Sequence, residues 1–534
     1  MHKFESFTHP SKKILPVLAL LLLASCGGGG GGETPELTPD CTACGAASNT
    51  VYSGSGVGIW TYKNTQSSAV SLPVSISGLS GKDVTIVYTN QGDTAVDMPS
   101  IALAPAIQMP RISNNTLNNQ YIGDPAPASI IAQREAFARS FKGKVAPAKL
   151  MQGQMYAAPA TAWVVGDTRS ITTYSDETTT ISLKKTVTTQ DGTSVNIWID
   201  DNEFGAGKVS MSTLDTFASK FASGDNSIYT QVTTLLGKPW GAHGYPTTLI
   251  PANQSINIAF YNGKGGGWGG FFYACDESTG CSGSNQWLSF YINTENIYDS
   301  NSWLDLSVSY HMSFLAHEFT HMVHQYQRAI LLGKPFADWL NELAAMSMED
   351  LLATKMSAID ISMIRDQNFS YWLNAGNFNC QQDVWLGLDI IDGCDSYAVN
   401  GALGAFLNRQ YGVAYYKALF ASSETDPMKI LDGAIKSAGG TGYQDALRRW
   451  GGSIALLPTA TTPAGHGYPA RTDGAYSLVG FNGPDFKSIR KMPTTVPASL
   501  APHAHFPVVR SNISGTFTEN LTVPAGTSVT VVIQ

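Results

Sequence analysis

The chain has 534 residues, a formal net charge of −8 and 14% charged residues, against 43% hydrophobic and 10% aromatic ones. That length accommodates two or three domains with sizeable cores. An acidic balance without basic runs argues against a nucleic-acid partner, and the low charge with 52 glycines fits an exported, Ser/Thr/Asn-rich protein.

Residues 1–25 read as an export signal. Lys3, Lys12 and Lys13 precede the apolar run ILPVLALLLLAS, which is short for a membrane span. Leu23-Ala24-Ser25-Cys26 resembles a bacterial lipobox, which implies cleavage before Cys26 and lipidation there. Residues 26–45 then form a Gly-rich tether. Gly27 is not the aspartate that retains many such proteins in the inner membrane, so the resemblance implies an outer-membrane or surface location, with membrane contact through a lipid anchor only. Six cysteines remain, as Cys41/Cys44, Cys275/Cys281 and Cys380/Cys394. In an oxidising compartment nearest-neighbour bridges are expected, among the several connectivities that six cysteines allow.

Residues 46–110 alternate as short strands between turn signals and predict a β-sandwich module. Residues 111–162 are rich in Ala, Pro, Asn and Gln and read as a connector with one helix near 130–141. The main domain is expected over 163–482. It opens with strands such as SVNIWIDD, continues with two helical segments stopped by Gly237, and returns to strands at INIAFYN and, after the Gly-rich GKGGGWGG, at WLSFYINT. WLSFYINT is the candidate edge strand beside a cleft. Strands followed by helices predict an α+β fold, with a mainly antiparallel sheet packed on a helical lobe. Residues 483–534 end the chain as β segments that could pair with the first module.

The most informative stretch is SFLAHEFTHMVHQYQRAIL, free of Pro and Gly. Leu315, Phe319, Met322 and Tyr326 form one apolar stripe. His317 and His321, four residues apart, stack on another face, as two nitrogen ligands of one small tetrahedral cation must. Glu318 is placed to act on a metal-bound water as general base, the pattern of a zinc hydrolase. Gly333-Lys334-Pro335 then stops the helix, and Asp338 can cap a second one, WLNELAAMSMEDLLATKM. Glu342 lies in its first turn, 21 residues beyond His321. Presented by a neighbouring helix, it would complete a His2Glu set with a fourth position open, the arrangement of a catalytic site. His324 shares the ligand face one turn on and is read as a non-ligand.

HEFTH followed by WLNE at this distance resembles the gluzincin metallopeptidases. The segments VNIWIDDNEFG, GGGWGGFFYACDE, NQWLSFYINTENI, HEFTHMVH and WLNELAAMSMED together resemble the hyicolysin family of neutral metallopeptidases. The resemblance spans roughly 195–412. It implies a thermolysin-like zinc peptidase domain in which an edge strand pairs with an extended peptide, and it assigns Glu342 as third ligand. Two departures stand out. Leu343 follows the ligand Glu where many relatives have Gly, and the position of a carboxylate that orients a ligand His is Met346. Glu349, on the same helix face, could supply that contact or be a solvated charge. The resemblance also suggests Tyr397, ahead of the helix AVNGALGAFLNRQYG, as donor to the oxyanion of the tetrahedral intermediate, with His466 in reserve.

The function expected from these residues is a zinc-dependent endopeptidase acting on protein or peptide substrates. Two other readings compete: an aminopeptidase of the same clan, which would need an acidic anchor for the substrate amine, and a surface lipoprotein with a structural or decayed zinc site acting in adhesion or glycan binding.

Overall fold

The computed structural model describes residues 34–103, 126–155, 162–265, 268–295, 297, 307–356, 368–386, 394–456, 462–481 and 486–534. Cys26 and its lipobox lie outside them. The first strands are Thr38–Pro39 (β1), Ala46–Ser48 (β2), Val51–Tyr52 (β3), Gly58–Lys63 (β4), Val70–Asn90 (β5) and Val96–Asp97 (β6). Helices Ala128–Ser140 (α1) and Ala148–Met155 (α2) follow, then strands Thr168–Thr172 (β7), Thr178–Thr188 (β8) and Ser194–Asp200 (β9). Helices Met211–Ala222 (α3) and Ile228–Leu236 (α4) precede strands Ile256–Tyr261 (β10), Gly270–Phe272 (β11) and Leu288–Asn293 (β12). The helical part comprises Ser307–His324 (α5), Asp338–Met356 (α6), Ser370–Ala375 (α7), Ser396–Ala421 (α8), Pro427–Ser437 (α9) and Tyr443–Leu456 (α10). Strands Arg471–Asp473 (β13), Tyr476–Leu478 (β14), Ser499–Leu500 (β15), His505–Val523 (β16) and Thr527–Ile533 (β17) close the chain. No helix among the described residues is long and apolar enough to cross a membrane.

The two β-rich ends share one sheet, in the order β1-β4-β17-β5-β3-β2, with β16 also on β5. Strand β5 needs partners along most of its 21 residues, and an unpaired edge of that length is a template for unwanted pairing. The chain end supplies them: β16 pairs with β5 from Val70 to Thr89, and β17 inserts between β4 and β5. Their inward side chains, among them Trp60, Ile76, Ile86, Val508, Phe517 and Val531, form a core of their own.

The second sheet runs β11-β12-β10-β9-β8-β7. Its outer pairings are antiparallel, as in the expected mainly antiparallel sheet, but its middle is parallel: β9, β10 and β12 align Ile197, Ile258 and Phe290 in register. Antiparallel strands flank that middle on both sides. The sheet is therefore mixed, and the domain is a mixed α/β structure. The edge strand also differs from expectation. Trp287–Thr294 contains β12, which is interior, and the edge belongs to the short β11 that follows the Gly-rich loop. The pairing gives the reason: β12 bonds β10 along Leu288–Asn293 on one side and β11 along Phe290–Ile292 on the other.

Local chemistry sets the helix ends. Ser210 and Ser227 cap α3 and α4 by accepting from Thr213 N–H (3.1 Å) and Thr230 N–H (3.2 Å). Gly237 ends α4 at φ 97°, which favours glycine. The apolar stripe of α5 meets this layer: Phe319 stacks on Tyr229 (5.5 Å) and meets Phe221 (5.1 Å) and Phe290 (6.0 Å) edge-on. Truncating such a buried ring costs about 3–5 kcal/mol, so this contact fixes which face of α5 turns away from the sheet. On the other side α5 packs on α6, and α6 on α8. Arg409 holds α8 to α6 through Asp350 (2.7 and 3.0 Å), a buried bidentate pair.

Candidate metal centre and active site

With Phe319 locked into the core, His317 and His321 of α5 turn toward Glu342 in the first turn of α6. All three are buried, and one ligand atom from each lies within 4.8 Å of the others. This is the one such cluster of three His, Cys, Asp or Glu among the described residues. The rings of His317 and His321 are 4.7 Å apart, as four-residue spacing on a helix requires. His317 Nε2 is 3.1 Å from Glu342 Oε2, and His321 Nε2 is 3.6 Å from Glu342 Oε1.

The far nitrogen of each imidazole is held by a neighbour on α6. Glu349 Oε1 lies 2.6 Å from His317 Nδ1, while its second oxygen accepts from Ser313 Oγ. The position expected to lack a carboxylate, Met346, is apolar and buried, and Glu349 reaches the histidine from one turn further on. Asn341 Oδ1 lies 3.1 Å from His321 Nδ1, and Asn341 Nδ2 donates to Glu135 Oε1 (2.7 Å). A proton on each Nδ1 leaves both Nε2 lone pairs directed at one point. His321 Nε2 has no hydrogen-bond partner although it is fully buried, which is expensive for a nitrogen lone pair unless a cation takes it. Two nitrogens and a carboxylate in this arrangement fit zinc.

Glu318 is fully buried beside this cluster. Its Oε2 accepts the backbone N–H of Phe272 on the edge strand β11 (2.8 Å), and its Oε1 has no partner. Burial pushes its carboxyl up to about 7, against the pull of His317 and Arg134. Burial would lower His317, but the Glu342 and Glu349 carboxylates on either side outweigh it and hold the imidazole up to about 10. Burial, then the Arg134 cation, pulls His321 down to about 3. Glu342 stays well below the usual carboxylate range: burial opposes this, but Arg134 and the histidines prevail.

Other sequence candidates fall as follows. His324 is stacked on Phe336 (4.7 Å) and its Nε2 accepts Phe336 N–H (3.0 Å), so a backbone amide occupies the lone pair a metal would need. Tyr397 is buried in the first turn of α8, which Asp395 caps, with its ring edge-on to Trp385 (4.7 Å). His466 is engaged elsewhere, its Nε2 2.9 Å from the carbonyl of Asp40 and 3.0 Å from Arg449. Cys41–Cys44, Cys275–Cys281 and Cys380–Cys394 are paired as disulfides. The second bridge closes the turn after the edge strand, and the third lies just before α8.

Three participants were missed from sequence: Arg134, Glu135 and Asn341. Arg134 Nη2 donates to Glu342 Oε1, and Arg134 Nε to Glu135 Oε1 (3.3 Å). Asn341 had a usable signal, since it immediately precedes the ligand glutamate. Arg134 and Glu135 had none, because they lie some 200 residues upstream in a segment of connector-like composition.

No curated protein matches the chain. Residues 39–103 match a domain of unknown function, DUF8571. Among solved structures, an M1 zinc metallopeptidase from Deinococcus radiodurans aligns at 13% identity and a TM-score of 0.31. The alignment covers 53% of this chain and 54% of that one, about half the length of each. The family model of peptidase M30 matches residues 175–534, about two thirds of the chain, including both metal-site helices and the edge strand. The chain therefore belongs to the peptidase M30 family.

Proposed function

We propose that this member of the peptidase M30 family is a zinc metallopeptidase and an endopeptidase, its zinc held by His317, His321 and Glu342, with Glu318 as the general base. The observation that carries the reading is a pair of buried atoms without a hydrogen-bond partner, the Nε2 of His321 beside Glu342 and the Oε1 of Glu318. One is a free ligand position and the other a free proton acceptor. When bound, zinc supplies Lewis-acid polarisation of the scissile carbonyl and lowers the pKa of a water.

The chain's own groups do the rest. Glu318 Oε1 takes a proton from the attacking water and returns it to the leaving amine, while Phe272 N–H holds Oε2 and so fixes the carboxylate plane. Glu349 and Asn341 keep the ligand imidazoles in one tautomer. Tyr397 is assigned as the hydrogen-bond donor to the oxyanion. The edge of β11 that does not bond to β12 receives the substrate as an added strand. In the cell the enzyme is tethered to the envelope through lipidated Cys26, and a Cys26→Ser variant should leave the membrane fraction.

The test is zinc content and casein hydrolysis on tether-free protein, for wild type and Glu318→Gln side by side. Wild type should carry about one zinc and cleave, also between internal residues of an N-acetylated peptide. The variant should keep its zinc and lose about 10²–10⁴-fold in kcat. Cleavage confined to free N-termini would make it an aminopeptidase. A wild type that binds no zinc would overturn the site assignment and favour the adhesin-like reading.

A further inference from the structure

The candidate active site is sealed. His317, Glu318, His321 and Glu342 are each 1% exposed or less, whereas a peptidase must admit an extended chain to these atoms. The seal is α1, from the segment between the two sheets. Its inward face is Ile130, Ile131, Arg134, Glu135 and Ala138, all buried. Two adjacent charges at the centre of a helix's buried face call for partners, and theirs are in the metal site: Arg134 on Glu342, and Glu135 on Asn341 and Arg134. The guanidinium thus occupies an oxygen of the very carboxylate that would ligate zinc.

The rest of α1 lies where substrate would lie. It packs against β11 and the turn that follows it, and Ile130 and Ile131 join the cluster of Trp268, Phe271 and Tyr291. Its C-terminal end is fastened beside the start of α6. Arg139 pairs with Asp338 (2.9 Å), Phe141 meets Tyr245 edge-on (5.4 Å), and Gly143 N–H donates to Gly333 O (2.8 Å). A Cβ on Gly333, at φ 63°, would collide with the backbone of Lys144, so the two segments touch main chain to main chain.

We propose that α1 is a built-in plug: with Arg134 on Glu342 it closes the metal site of the intact chain, and hydrolysis requires α1 to move aside. This rests on the peptidase reading above, but it is tested separately. The full chain is compared as wild type, Arg134→Ala and Ala138→Glu. The last leaves every metal-site group in place and unseats the helix through its buried face. Two quantities are read: the rate of zinc entry into metal-stripped protein, and the rate of peptide hydrolysis at saturating zinc. Circular dichroism shows which variants fold, and either variant alone suffices.

The plug predicts that zinc enters both variants at least tenfold faster than wild type, and that both hydrolyse at least tenfold faster. Unchanged zinc entry and hydrolysis in a folded variant would overturn it. So would a fall in hydrolysis for Arg134→Ala with zinc retained, because Arg134 would then be a working part of the site. Accelerated zinc entry with no hydrolysis by any form would uphold the plug and count instead against the endopeptidase reading.

Discussion

Glu349 holds His317 from behind: one carboxylate oxygen is 2.6 Å from the imidazole Nδ1, and the other accepts from Ser313 on the same helix as the histidine. The carboxylate is thereby fixed at both ends and orients a ligand across the α5–α6 contact. Glu349→Ala should weaken zinc binding about 10–100-fold, the usual effect of losing such a partner. Competition with a chromogenic chelator measures it, and an affinity equal to wild type would reduce Glu349 to a packing residue.

Tyr397→Phe removes one hydroxyl from a buried ring that keeps its place against Trp385. If that hydroxyl stabilises the oxyanion, kcat falls about 10²–10³-fold with KM and zinc content nearly unchanged. A loss confined to melting temperature would make it a packing residue.

Gly269 precedes the edge strand, and a Cβ there would collide with the Phe314 ring on α5. Gly269→Ala must displace either the ring or the strand that carries Phe272 N–H, the donor to Glu318. Overpacking of this kind costs about 1–3 kcal/mol. Urea unfolding should show that loss, accompanied by reduced kcat because the base loses its fixed orientation.

Asp276 is buried with Asn285 N–H (2.6 Å), Ser289 Oγ (2.9 Å) and Tyr291 Oη as donors. Burial nevertheless dominates and raises its carboxyl from 3.8 to about 6. A group whose pKa is raised in the folded state binds its proton more tightly there. Its contribution is therefore fully present below about 4 and is lost as pH rises through about 6. The loss is roughly 3 kcal/mol at about 1.4 kcal/mol per unit. Asp276→Asn should gain stability relative to wild type between pH 4 and 7 by about that amount, measured by urea unfolding at both values. A constant difference across this range would refute the assignment.

Much of the site was legible because it is written in local periodicity. Four-residue spacing stacks two imidazoles, an apolar stripe selects the buried face, and a turn signal returns the chain for Glu342. Glu349 was legible as a possibility, since seven residues on a helix return to the same side. Nearest-neighbour cysteines were legible for the same reason, being close along the chain before any folding.

What the tertiary structure alone decided involves contacts between distant segments. Strand order is set by which segments bond to one another, not by their order in the chain: β12 is bonded by β10 on one side and β11 on the other, so it lies inside the sheet and β11 at its edge, although WLSFYINT is the longer and more strand-like run. The same holds for the sheet shared by the two ends of the chain, where Val70 pairs with Val523. Arg134 and Glu135 show it most clearly. Along the sequence they are two ordinary helix charges, and only packing against α6 turns them inward to a carboxylate some 200 residues away. Periodicity specifies which face of a segment is buried; what that face is buried against is decided by the rest of the chain.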